Sequence, residues 1–288
     1  MAKRQTNRVT RGLAAIAVAV VLGGTGLLSK RVWPKLKEAA LVEAADKGDV
    51  GLVRRLLAGG VNVNAPPPGH RALDYAILAG NASIVPDLLA YGASVEPGGA
   101  FETTPLAEAV AARQPGIVKI LLAHGANANR QDANGMQTLL TLAFFVHDAA
   151  VMQALLQGGA NPNGAITSQG MTPLMLSARA GEITMVQALM AHGANANARA
   201  RDGKTVLMQA VSGGHLPIIK YLVAHGADVN AKAHGNRGLY TASMLAQEGV
   251  RTLRRQRDRG PASERATLVQ YVTREEAIVQ FLRQARAK

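Results

Sequence analysis

Cysteine is absent from this chain of 288 residues. That excludes disulfides, thiolate metal sites and a cysteine nucleophile, but leaves the compartment open, since a disulfide-free protein lives on either side of a membrane. Aromatic residues are also scarce, at 3 % against an apolar content of 48 %. A core made mostly of Ala, Leu and Val suits closely spaced helices better than a thick sandwich or barrel. Acidic residues are missing from residues 1–37, which carry eight Lys/Arg; residues 251–288 carry ten Lys/Arg against four acids. The stretch 38–250 has fourteen basic and fifteen acidic residues. The net charge of +13 therefore sits at the two ends, and a whole-chain argument for nucleic-acid binding fails.

Motifs of catalysis are missing too. No Gly-rich phosphate loop ending in Lys-Ser/Thr occurs, nor a Gly-x-Ser-x-Gly elbow, nor His-Glu-x-x-His. His124, His192 and His225 each stand just before a Gly-Ala pair. As equivalent repeat positions they lie about one repeat apart and do not converge on one ion. The expectation is a protein that is not an enzyme and needs no cofactor or metal, because catalysis requires a nucleophile, base and orienting group in one pocket.

Gly12–Leu28 is a run of seventeen uncharged residues that follows Lys3, Arg4, Arg8 and Arg11 and precedes Lys30, Arg31 and Trp33. As a helix it spans about 26 Å, the short end of what crosses a bilayer. No good small-x-small cleavage site follows it, so the expected role is a retained signal anchor; a cleaved leader and a buried helix are the alternatives. Basic residues flank both sides and the positive-inside rule nearly ties. The leader-like layout favours a single-pass protein of the inner membrane with its C-terminal part in the periplasm.

Periodicity dominates what remains. Gly-Ala pairs at Gly92, Gly125, Gly159, Gly193 and Gly226 follow steps of 33, 34, 34 and 33 residues, and Leu73, Leu106, Leu140, Leu174 and Leu207 repeat the same steps. Thr104-Pro105-Leu106 and Thr172-Pro173-Leu174 place a hydroxyl cap before a proline at the first helical position. A short helix follows and stops near Gly80, Gly181 or Gly214, where a left-handed residue is needed. A second helix, such as Ile117–Leu122 or Ile218–Val223, ends at the Gly-Ala pair. The tails Asn127-Ala128-Asn129 and Asn195-Ala196-Asn197 are turn-formers leading into a β-hairpin finger.

These motifs resemble the ankyrin-repeat family, in its membrane-anchored bacterial form, from about Glu38 to the C-terminus. The resemblance implies an all-α repeat solenoid with β-hairpin fingers, here in seven units, preceded by one transmembrane helix and ended by an extended helical-hairpin cap. The layout expected is a basic tail (1–11), signal anchor (12–28), linker (29–37), repeats (38–250) and cap (251–288). Pro34 is expected to open the first helix. The family's His after Pro-Leu is replaced by Asp74, Ala107, Thr141, Met175 and Met208, so its hydrogen bond to the capping Thr is expected to be missing. The closing Gly becomes Arg113 and His147 in adjacent units. The second helix of the seventh unit (Ile278–Leu282) arrives some 24 residues late, which reads as two lengthened helices meeting at Arg259–Ser263.

Function follows from the family's extended face of fingers and first helices. From the fingers the candidate contacts are Phe101, Glu102, Met136, Met171, Arg201, Lys204, Arg237 and Tyr240; from the first helices, Tyr75, Glu108, Arg113, Phe145, Val146, His147, Arg179 and Gln209. Phe101, Phe145 and the methionines are candidate anchors in so aromatic-poor a chain; burial is the alternative for Phe144 and Phe145. Arg113, Phe145 and His147 are candidates for the middle of the face, against drift to another loop shape. The expected role is a membrane-tethered scaffold for an unidentified protein partner, with an immunity-type inhibitor of a secreted toxin as alternative. Arg251, Arg254, Arg255, Arg257 and Arg259 form either a solvated helix face or a patch for lipid or nucleic acid.

Overall fold

A threonine opens most of the repeats. In the computed structural model, which describes residues 32–65, 71–96, 104–131, 138–164, 169–235 and 238–286, Thr104 Oγ1 accepts from the Ala107 N–H at 3.0 Å. Thr138, Thr172, Thr205 and Thr241 do the same for the residue three places on. Each satisfies a donor that the first helical turn leaves unpaired.

The chain divides into two compact units, the first ending at Ala128 and the second starting at Asn129. In the first, α1 (Val32–Lys47) pairs with α2 (Val50–Ala58), α3 (Ala72–Leu78) with α4 (Val85–Ala90), and α5 (Pro105–Ala111) with α6 (Pro115–Ala123). The first helices α1, α3 and α5 stack side by side, as do the second helices α2, α4 and α6. The second unit continues the scheme with α7 (Leu139–Phe145), α8 (Ala149–Gln157), α9 (Pro173–Ala180), α10 (Ile183–Ala191), α11 (Val206–Gly213) and α12 (Leu216–Ala224). Strands β1 (Lys232–Gly235) and β2 (Gly238–Thr241) then form an antiparallel hairpin before α13 (Ala242–Arg259) and α14 (Ala262–Arg286). Helix α13 packs on α11 and α14 on α12, so the two long helices fill the first- and second-helix places of a seventh repeat. The repeat leucines Leu73, Leu106, Leu140, Leu174 and Leu207 are all buried.

Two features hold neighbouring repeats in register. Asn163 Nδ2 donates to the Gly193 carbonyl at 3.0 Å while its Oδ1 accepts from the Asn195 N–H at 2.8 Å. Asn64, Asn129 and Asn197 make the same pair of bonds to the repeat that follows each. The second feature is the residue after the left-handed turn. Asn81 Nδ2 donates to the Ala45 and Asp46 carbonyls, Gln114 Nε2 to Ile77, and His215 Nε2 to Arg179, each reaching back one repeat. Gly181, with φ +89°, lies under the His215 ring, and a Cβ there would run into it.

Several expectations change at this level. Arg113 (φ 58°) and His147 (φ 52°) both adopt the left-handed conformation, so the loop has kept the shape that glycine gives elsewhere. The hydrogen bond expected to be lost with the family's His is replaced twice. Thr141 Oγ1 lies 3.0 Å from Thr138 Oγ1. Asp74 accepts from the Arg71 N–H at 2.8 Å and pairs with its buried guanidinium. Pro34 falls in the first turn of α1 rather than at its start, a turn whose N–H groups lack helical partners anyway. Fingers are expected in every repeat; among the described residues strands occur only as β1–β2, with single bridges at Gln131–Thr138 and Arg199–Thr205. The expected anchor 12–28 lies outside the described residues; among those described, no helix is long and apolar enough to cross a membrane.

Candidate partner-binding face

The first helices turn one side toward the core and the other away from it. In the second unit the outward positions are two and five residues after the repeat leucine, spaced i, i+3 and so on one helix face. They are Leu142 and Phe145 on α7 and Leu176 and Arg179 on α9; on α11 Ser212 is exposed, whereas Gln209 is buried. Phe144, one residue from Phe145, is buried at 8 %, whereas Phe145 is 54 % exposed and meets the Phe144 ring edge-on at 5.4 Å. Leu142 and Leu176 are half-buried and Arg179 is exposed.

Beside this strip lies a small niche of about 110 Å³ between α9, α11 and the turns that precede them, lined by Met171, Arg179, Asp202, Lys204, Gln209 and Ser212 among others. Lys204 Nζ sits 2.7 Å from Asp202 Oδ2. That hydrogen bond raises the Lys204 ammonium above its ordinary pKa. Burial pushes the Asp202 carboxyl up, but the Lys204 bonds and charge outweigh it and hold the carboxyl low.

The remaining candidates are dispersed. Phe101, Glu102, Met136 and Arg237 lie outside the described residues. Tyr75 and Glu108 are half-buried on α3 and α5, with Arg113 exposed after α5, all in the first unit. Arg201 is exposed in the turn before α11, and Tyr240 is half-buried on β2 opposite Ala233. Two candidates are corrected. Met171 is 4 % exposed and Gln209 5 %. Met171 directly precedes the capping Thr172, where the chain turns inward, and Gln209 lies within an α11 whose first six residues are all buried. They line the niche rather than project from the surface.

His147 has a local partner that sequence reasoning did not supply. Its Nδ1 lies 3.2 Å from Glu182 Oε1 in the next repeat. At this place other repeats carry a donor (Asn81, Gln114, His215) that reaches back to a carbonyl. A carboxylate has nothing to donate, so Glu182 takes a donor from the turn residue instead. The signal was legible as the coincidence of a non-Gly turn residue and a carboxylate 35 positions on. His124, His192 and His225 each direct Nδ1 at the carbonyl four residues back, closing α6, α10 and α12. Among the described residues no group of three or more His, Asp or Glu could hold a metal ion. Of the arginine run, Arg254 pairs with Glu276 of α14 at 2.6 Å, Arg257 with Asp258 and Arg251 with Glu248, on a helix face that is exposed to solvent and keeps a positive excess.

Comparison with known proteins agrees with this geometry. The ankyrin-repeat domain of Bcl-3, described as a unique member of the IkappaB family, superposes with a TM-score of 0.60 at 28 % identity over 71 % of this chain and 92 % of that one. The human ASB11 ankyrin-repeat domain gives 0.56 at 24 % identity, covering 80 % and 96 %, a likeness of fold alone. The ankyrin repeat and KH domain-containing protein mask of Drosophila melanogaster is 40 % identical over 102 residues, which are 33 % of this chain but only 2 % of that protein. The family model for ankyrin repeats matches residues 41–132, 139–233 and 192–259, well over half of the sequence, and the chain belongs to the ankyrin-repeat family.

Proposed function

We propose that this protein is a membrane-tethered scaffold that holds a protein partner on the first-helix and finger face of its repeats. Ankyrin repeats are protein-interaction modules, and the observation that carries the reading is Phe145. A chain with four phenylalanines leaves this one 54 % exposed on the outward side of α7, beside half-buried Leu142 and Leu176. An aromatic side chain left in water on an otherwise packed face is the usual form of an interface anchor. Tethering rests on the charge-flanked apolar run Gly12–Leu28, whose length and flanks support an inner-membrane anchor and whose leader-like layout favours repeats in the periplasm.

Both parts are testable on the full-length protein. It should stay in the membrane pellet through carbonate extraction, and a topology reporter fused after Lys288 should be active only outside the cytoplasm. Release by carbonate, or a reporter active in the cytoplasm, overturns the tether or its orientation. Affinity capture from detergent-solubilised membranes should recover a partner with the wild type. Phe145→Ala should weaken it by at least about thirtyfold, since hot-spot truncations cost about 2 kcal/mol or more. Equal capture by a well-folded Phe145→Ala variant would move the interface off this face.

A further inference from the structure

Resting on the scaffold reading, the chemistry of the partner follows from the second unit alone. Along its outward face the character changes from one repeat to the next. Helix α7 presents Leu142 and Phe145, α9 presents Leu176 and Arg179, and α11 presents Ser212, with Gln209 buried in the wall of the niche. Because α7, α9 and α11 pack side by side, an apolar patch formed by Leu142, Phe145 and Leu176 passes directly into the polar niche at Arg179.

The niche carries an unbalanced positive charge. Lys204 and Asp202 neutralise one another at 2.7 Å, and each holds the other ionised. Among the described residues no carboxylate pairs with the Arg179 guanidinium; its backbone carbonyl, not its side chain, is engaged by His215. One uncompensated cation in a cavity of about 110 Å³ suits a small monoanion. A phosphate brings a charge of about −1.5 to −2 and is commonly met by a cluster of arginines, whereas one planar guanidinium matches a carboxylate in a bidentate fork.

We infer that this face recognises a short acidic-apolar peptide segment of the partner, with an aliphatic or aromatic side chain against Leu142, Phe145 and Leu176 and an Asp or Glu carboxylate on Arg179. Phe145 and Arg179 occupy the same place in consecutive repeats, on helices whose axes lie about 8–10 Å apart. An extended chain advances about 3.3 Å per residue, so the apolar residue and the acid stand about three positions apart.

The test uses the full-length protein in detergent micelles and a phage-displayed library of random dodecapeptides. Selected sequences should carry Asp or Glu about three residues from Leu, Ile or Phe. The best of them, made as a fluorescein-labelled peptide, should bind Arg179→Glu at least tenfold more weakly, with circular dichroism and thermal unfolding unchanged. Replacing the acid of that peptide by Lys should restore binding to Arg179→Glu and lose it on the wild type. Selected peptides without an acid, or acidic peptides indifferent to Arg179→Glu, overturn this inference while leaving a peptide-binding scaffold in place. Failure to select any peptide also overturns it, and the scaffold reading is then decided separately by capture with Phe145→Ala.

Discussion

An asparagine at the end of a repeat does two jobs that no other side chain of its size does together. Its amide donates to a carbonyl of the next repeat and its oxygen accepts from an N–H there, as Asn163 does with Gly193 and Asn195. Asn163→Ala removes both bonds across one boundary, at about 0.5–1.5 kcal/mol each. We expect the full-length protein to lose about 1–3 kcal/mol, read as a lower midpoint in urea. Asn163→Asp keeps the acceptor but not the donor and should fall between the two; a neutral Asn163→Ala would show that the clamp is incidental. From sequence these tails were legible only as turn-formers, because the partners of Asn163 sit one repeat further on. The same limit explains Thr141, whose hydroxyl looks like a lost histidine until Thr138 is seen 3.0 Å away. It also explains Met171 and Gln209, which share repeat positions with the half-buried Lys204 and Leu176 but are themselves covered by their neighbours. The register of Arg113 and His147 with the turn glycines was legible, but whether the loop kept its left-handed shape was decided only by their positive φ.

At the scale of the element, the lengthened helices of the seventh repeat meet a demand the others satisfy with a loop. In three repeats the residue after the turn reaches back over the preceding glycine, as Asn81 does over Gly48, Gln114 over Gly80 and His215 over Gly181. The seventh repeat has no such turn, and Arg274 and Glu275 of α14 cover Gly214 instead. Glu275 is buried at 7 % and lies 3.7 Å from Arg274. Burial raises its pKa above the ordinary 4.5, with the Arg274 charge pulling the other way. At pH below the ordinary carboxylate value the group is neutral in both folded and unfolded chains. As pH rises through the raised folded pKa, the folded state alone carries the cost of burying the charge, so this group subtracts stability at neutral pH. Glu275→Gln should therefore raise Tm at pH 7, by up to about 2–4 °C, the shift that about 1 kcal/mol produces in a chain of this order of size. It should also flatten the stability profile just above the ordinary carboxylate range. A fall in Tm at pH 7 would mean that the Arg274 contact outweighs the burial. The late arrival of Ile278–Leu282 made the long helices readable in the sequence; which glycine they cover was not, since it depends on the path of α14.

For the molecule as a whole, a stack of repeats leaves an apolar flank at its end that something must cover. In the second unit that flank belongs to α11 and α12, and α13 and α14 lie on it. Their inward side is apolar: Ala242, Ala246, Val250, Val272, Ile278, Val279 and Leu282 are buried. Their outward side is charged, with Arg251, Arg254, Arg255 and Arg259 exposed. Repeat number and register were legible because each unit restates the same spacing, whereas the partner is not restated anywhere and emerges only from side chains that the core does not use. Deleting residues 251–288 removes four of those large buried side chains, Val272, Ile278, Val279 and Leu282, at about 1.5–3 kcal/mol each. The total rivals the whole stability of a typical domain, about 5–15 kcal/mol, so the loss should not stay local. We expect the truncated protein to unfold at much lower temperature and to aggregate through the flank of α12, which α14 no longer covers. Ile278→Ala combined with Leu282→Ala, which keeps the chain complete, should reproduce part of the fall. Unchanged unfolding and solubility of the truncated protein would show that the hairpin is an appendage, and that α11 and α12 end the stack unaided.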